Sequence, residues 1–180
     1  EAKERVNSAL KNIGVKPPTR ENRRIVVNLA PAHVKKTGSQ YDLAIAVGYL
    51  RASGQLAEFP AHQSLFIGEL SLESRVRPVQ GVLNIAACAA RLGFKNLFVP
   101  KENAEEAALI SGITVFPVAT LHDLIDHLEG RVVISPQPVT ELAYTQGSQK
   151  VELGDVRGQE QAKRALLIAA AGGHNVLMIG

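Results

Sequence analysis

Residues 64–101 read SLFIGELSLESRVRPVQGVLNIAACAARLGFKNLFVPK. The apolar run Leu65–Leu70 predicts a strand, and the polar group Ser71–Ser74 predicts a turn. Arg75–Val79 is then expected to return as the second arm of a hairpin. Glu69 on the first arm is expected to pair with Arg75 or Arg77 across it rather than act as a catalytic acid. Gly81 opens a helix with Val82, Ile85, Ala86, Ala89 and Leu92 on one face, closed by Gly93. Cys88, in the small-residue stretch Ala86–Ala90, reads as core. Asn96–Val99 is expected as a short buried strand ended by Pro100.

Downstream, Asn103 is expected to cap a helix reaching Ile110, and Ile113–Phe116 to form a strand. Thr120 should cap a helix to Leu128, with Asp123 at the capping-box position. Pro136 and Pro138 break regular structure. From Gly81 the order is α, β, α, β, α, which favours parallel pairing of short buried strands. Upstream, Val6, Ala9, Leu10 and Ile13 follow helical spacing up to Gly14. Lys16-Pro17-Pro18 is an extended connector, Ile25–Leu29 a predicted strand, and Lys35–Gln40 a polar loop. Asp42 is a first-turn acid for a helix through Ala52. Near the other end, Gln159–Ala171 is expected to be helical and Asn175–Ile179 a short strand. The chain opens inside a helical pattern, so its N-terminus is expected to be truncated.

A length of 180 residues suits one α/β domain plus a remnant. Apolar residues reach 46% and aromatics only 4%, so the core must be built from Val, Ile, Leu and Ala. Residues 1–40 hold nine Lys/Arg against three Asp/Glu, while the other 140 hold eleven against fourteen. A basic segment on a near-neutral body hints at a polyanion; a solvated, solubilising rim is the alternative. Cys88 is the only cysteine, which excludes an intrachain disulfide or a cysteine zinc site and fits a reducing compartment. No apolar run reaches membrane-spanning length and no signal pattern is present, so a cytoplasmic protein without a membrane partner is expected. The histidines are His33, His62, His122, His127 and His174. His122 and His127 are five apart, a poor match to ligands at i and i+4, so no metal site is expected.

Residues 64–101 as a whole resemble the C-terminal half of the Lon-type proteolytic domain. GSQYDLAIAVGYL at 38–50 resembles the helix that follows the Lon nucleophile. With LAPAHVKK before it at 29–36, the combination is closer to the ComM-like family, also labelled magnesium-chelatase-related. GDVRGQEQAKRALLIAAAGGHNVLMIG at 154–180 resembles the start of a AAA+ module. The fold class implied is α/β. Residues 1–138 form a Lon-protease-like (ribosomal protein S5 domain 2-like) domain with a mixed sheet and packed helices. A linker spans 139–153, and 154–180 begin a P-loop AAA+ domain. By the same resemblance Asp155, Val156, Gly158 and Gln159 sit beside the adenine, and Gly180 is the first glycine of the phosphate-binding loop. The Lys and hydroxyl that loop requires come after Gly180. ATP and Mg²⁺ are therefore expected in the full-length protein and not bound tightly by this fragment.

A Lon-type protease needs a nucleophilic Ser and a Lys that eases its deprotonation. Laid on the family helices, the Ser position falls on Gln40 and the Lys position on Leu83. A register slip could bring Ser39 near, yet residues 82–90 contain no Lys. No catalytic residue is expected, and the fragment is not read as a protease. Lys11, Lys16, Arg20, Arg23, Arg24, Lys35 and Lys36 are the candidate DNA contacts. No aromatic residue lies between Lys11 and Lys36 to stack on bases, so contact would be to phosphates and sequence-independent. The resemblance implies a ring-forming AAA+ ATPase acting on DNA in branch migration, natural transformation or recombination. A magnesium-chelatase-type ATPase subunit and a purely structural oligomerisation domain are the alternatives.

Overall fold

The computed structural model describes residues 2–18, 26–29, 33, 38–141 and 152–179. The chain divides into two compact units, Glu1–Leu142 and Ala143–Gly180.

In the first unit, α1 (Ala2–Asn12) buries Val6, Ala9 and Leu10, the stripe its spacing predicts, and α2 (Asp42–Ala52) buries Leu43, Ala46, Val47 and Leu50. The expected strand over Leu65–Leu70 divides at Ile67-Gly68. Its first part, β1 (Ser64–Phe66), lies in the main sheet, and its second, β2 (Glu69–Leu70), pairs antiparallel with β3 (Val76–Arg77). Gly68 makes this change of direction possible. A Cβ on it would sit 2.6 Å from Val76 Cγ1. The main sheet has the order β1-β4-β5, all parallel, with β4 (Asn96–Pro100) central and β5 (Thr114–Val118) at one edge. Helices α3 (Val82–Arg91), in the crossover from β1 to β4, and α5 (Leu121–Leu128), which follows β5, pack into opposite cores. Gly81, left-handed at φ +76°, starts α3 without a Cβ penalty. Thr120 and Asp123 form the expected capping box on α5.

Alternation along β4 feeds two cores. Phe98 joins Phe66, Leu121 and the buried face of α2 on one side, whereas Leu97 and Val99 join Val82, Ala86 and Val115 on the other. Phe66, Phe98 and Phe116 stand opposite one another in register and stack at centroid distances of 4.8 and 4.9 Å. Burying one such ring stabilises the fold by about 2–3 kcal/mol.

Several local expectations fail for identifiable reasons. Asn103 does not cap a helix with its side chain; that side chain is committed to Val79, and α4 spans only Ala104–Ala107. The following turn tightens to i→i+3 bonds, Leu109 N to Glu106 O and Ile110 N to Ala107 O. Cys88 is exposed because the buried face of α3 runs through Val82, Ala86 and Ala89, and Cys88 projects from the other side. Leu92 falls just past the helix end and is exposed as well. The strand predicted over Ile25–Leu29 is not formed at 26–29, and Ile25 lies outside the described residues. In the second unit, α6 (Glu160–Gly172) forms as expected, but 174–179 adopt no regular structure. Apolar, β-branched composition favours a strand only where a neighbour supplies the ladder. Most of the expected linker, 142–151, lies outside the described residues.

Candidate functional site

The positions at which the resemblance sets a Lon-type dyad are Gln40, just before α2, and Leu83, in the first turn of α3. The loop 38–40 docks on the hairpin through its backbone. Gly68 N donates to Gln40 O at 3.0 Å, and Leu43 N donates to Gly68 O at 3.1 Å. Asp42 locks the junction. Its carboxylate is 1% exposed, accepts from Arg5 Nε at 2.6 Å and Nη2 at 3.1 Å, and also takes Leu70 N at 3.3 Å. A fork-on-fork pair of this kind is among the stronger side-chain contacts. Sequence reading treated Asp42 as a helix-start acid. Its partner lies 37 residues away, and no local signal points to it.

Ser39 Oγ donates to Glu69 Oε2, and Glu69 Oε1 lies 3.7 Å from Arg77 Nη1. The hairpin register sets Glu69 opposite Arg77, so of the two arginines considered, Arg77 is the partner. Beside Ser39 is a cavity of about 410 Å³, lined by Gly38, Ser39, Gln40, Pro78, Val79 and Gln80. Its far wall is held by Asn103, whose Oδ1 accepts Val79 N at 2.9 Å and whose Nδ2 donates to Val79 O at 3.1 Å. Glu106 Oε1 accepts Leu83 N at 3.0 Å, closing the start of α3. The cavity lining thus carries one hydroxyl and two carboxamides. Neither a carboxamide nor the Leu83 side chain can take a proton from a serine. Asn103 and Glu106 shape this cleft; sequence reading missed that use of them because both act on residues more than twenty positions earlier.

A second cavity, of about 600 Å³, lies against the outer face of α2, with Val26, Leu29, Ala44 and Ile45 among its lining. It is mostly apolar and gathers no group of acids, bases or nucleophiles.

In the second unit, Leu153–Asp155 form a single turn in which Glu152 N donates to Asp155 Oδ2 at 2.8 Å. Gly158 and Gln159 are both left-handed, at φ +69° and +55°, immediately before α6. Asp155, Val156, Gly158 and Gln159 are all exposed along this turn. Gly180 lies outside the described residues.

Of the basic candidates, Lys11 and Lys16 are exposed near the end of α1. The backbone of Lys16 is fixed: its N donates to Gln55 Oε1 and its O accepts from Tyr49 OH, both at 2.7 Å. Arg20, Arg23, Arg24, Lys35 and Lys36 lie outside the described residues. Among the described residues no His, Cys, Asp and Glu group could hold a metal ion, and no helix is long and apolar enough to cross a membrane. His122 Nε2 instead lies 3.4 Å from Asp126. His127 Nδ1 accepts Ile134 N at 3.0 Å, and burial pushes this imidazole below its ordinary value of 6.5.

Fold and cleft define an α/β protein with a parallel sheet and flanking helices, consistent with an AAA+/Lon-like fold. The family model described as "ChlI: Subunit ChlI of Mg-chelatase" matches residues 1–103, and "Magnesium chelatase, subunit ChlI" matches residues 152–180. The chain is 42% identical over its whole length to "Competence protein ComM" of Haemophilus influenzae, covering 35% of that protein. It is 40% identical over its whole length to "Uncharacterized protein YifB" of Escherichia coli, covering 34%. It is 26% identical over 87% of its length to a "Lon protease" of Rhizobium meliloti, covering 19%. The chain belongs to the Mg-chelatase ChlI family, as a ComM-like, Mg-chelatase-related AAA+ protein. It spans about a third of the length of the ComM and YifB relatives.

Proposed function

We propose that the whole protein is a ring-forming, cytoplasmic AAA+ ATPase that acts on DNA, as a branch-migration or helicase motor in natural transformation or recombination. The observation carrying this reading is the 42% identity to a competence protein across all of this chain. Residues 1–138 serve as a Lon-like, ribosomal protein S5 domain 2-like domain without its dyad. Residues 139–153 are the linker, and 154–180 open the motor.

The Lon-like domain contributes assembly or DNA contact rather than peptide hydrolysis. Ser39 bonded to Glu69 supports this, as does the apolar Leu83 where an amine would be needed. In the motor, the turn through Asp155, Val156, Gly158 and Gln159 borders the adenine, and Gly180 begins the phosphate loop. The Lys and Ser or Thr of that loop are not among these 180 residues. The described turn therefore fits the edge of a nucleotide site, and ATP with Mg²⁺ belongs to the whole protein. Bound there, they would supply the hydrolysis energy for translocation.

DNA contact falls to Lys11, Lys16, Arg20, Arg23, Arg24, Lys35 and Lys36, through phosphates and without sequence preference. Fluorescence anisotropy of the full-length protein with forked DNA tests the reading. Binding that weakens steeply with added salt is expected. Absence of salt-sensitive binding overturns it, and porphyrin-dependent ATPase activity would favour the magnesium-chelatase alternative instead. Self-association without any DNA affinity would favour the purely structural one.

A further inference from the structure

Beyond α5 the chain runs through 131–141 without regular structure, yet it is closely tied down. Among the described residues, β5 is the last strand of its sheet. Thr114 N donates inward to Lys95 O, so alternation turns the backbone of Val115 and Pro117 outward. At that edge Val115 O accepts Gln137 N at 2.8 Å, and Pro117 has no N–H to leave unpaired. Thr140 N reaches Ala108 O at 3.1 Å. The segment therefore covers an edge that would otherwise template pairing with another strand. Its start is fixed to α5: Arg131 N donates to Asp126 O at 2.8 Å, and the guanidinium bonds Asp126 and Glu129.

Between those anchors one side chain holds the backbone, His127 through Nδ1 to Ile134 N. An Nδ1 that accepts carries no proton, so the neutral ring has its hydrogen on Nε2. The ring packs on Phe116 and Phe98 at 5.0 and 5.5 Å. The charged groups around it are engaged elsewhere. β4 and β5 present phenylalanines to it, and Arg131 of the segment is turned to Asp126 and Glu129. On α5 itself, Asp123 accepts Thr120 N, and Asp126 is shared by Arg131 and His122.

We infer that residues 131–141 are a proton-sensitive strap across the free edge of β5, with His127 as the positioning residue that pins it at Ile134. Protonation turns Nδ1 from acceptor to donor, two N–H groups then face each other, and the pin is lost. Burial lowers the affinity of this imidazole for the proton, so the pinned form persists at a pH where a free imidazole is already charged. Release loosens the stretch between Arg131 and Gln137, two residues whose own backbone bonds do not involve His127. The inference stands on the geometry of the first unit and is independent of any action on DNA.

Hydrogen exchange of the Ile134 amide in the full-length protein, followed between pH 8 and pH 5 and corrected for intrinsic rates, tests it. Protection should fall about tenfold as the imidazole titrates, the effect of losing one hydrogen bond. In His127→Asn, a carbonyl oxygen can take the same N–H without titrating, and protection should become independent of pH. In His127→Phe, protection should be low throughout. Wild-type protection that does not change with pH would overturn the inference, and so would unchanged pH dependence in His127→Asn. Nitrogen chemical shifts showing the proton on Nδ1 at pH 8 would overturn it as well.

Discussion

Two apolar stretches of similar composition meet opposite fates in this molecule. Leu97, Phe98 and Val99 lie between two parallel neighbours, and none is more than 2% exposed. Val176, Leu177, Met178 and Ile179 lie in the second unit without a described ladder partner; Leu177 is 84% exposed and Ile179 is 89% exposed. A strand is thus not written into a short apolar run. It forms where other segments offer hydrogen bonds and two faces to pack against. The same principle separates Asn96–Pro100 from Val26–Leu29, whose β-branched residues remain outside any strand.

The largest expected effect is at the centre of the first unit. Phe98→Ala removes the middle ring of a three-ring stack and should cost about 3–5 kcal/mol in urea unfolding. Asp42→Ala should cost about 2–3 kcal/mol, because it removes a two-pronged charge-assisted contact to Arg5 and the acceptor for Leu70 N. A loss below about 1 kcal/mol would show that the pair is dispensable. Gly68→Ala forces Val76 to move and should cost about 1–3 kcal/mol by the same measurement. Leu177→Glu, by contrast, should change the stability of this chain by no more than about 0.5 kcal/mol. If Leu177→Glu proved as damaging as Phe98→Ala, the contrast between the two stretches would be wrong.

A pH series sharpens the picture of the first unit. The folded His127 binds a proton less readily than the unfolded residue, whose value is near 6.5. Its contribution to stability is complete above that pH and is lost as the pH falls from 6.5 toward the lower folded value. The melting temperature of wild type should therefore drop through this window faster than that of His127→Asn.

Much of the first unit was legible because its signals are local. The spacing in α1 and α3, the Thr120–Asp123 capping box and the alternation of short strands with helices each sit within one window of sequence. What was not legible depends on distant partners. Asn103 looks like a helix cap until Val79 claims its side chain, and Asp42 looks like a helix-start acid until Arg5 arrives. The division of Leu65–Leu70 into two strands rests on the close approach of Gly68 to Val76, which spacing does not reveal. In the candidate cleft, the lack of Lys in 82–90 is legible in the sequence, but the Ser39–Glu69 bond is not.

Labelling of the full-length protein with a fluorophosphonate serine probe, read alongside casein digestion, puts the cleft to its most direct trial. With Ser39 tied to a carboxylate and no Lys in residues 82–90, neither adduct nor cleavage is predicted. An adduct on Ser39, with proteolysis abolished by Ser39→Ala, would contradict that.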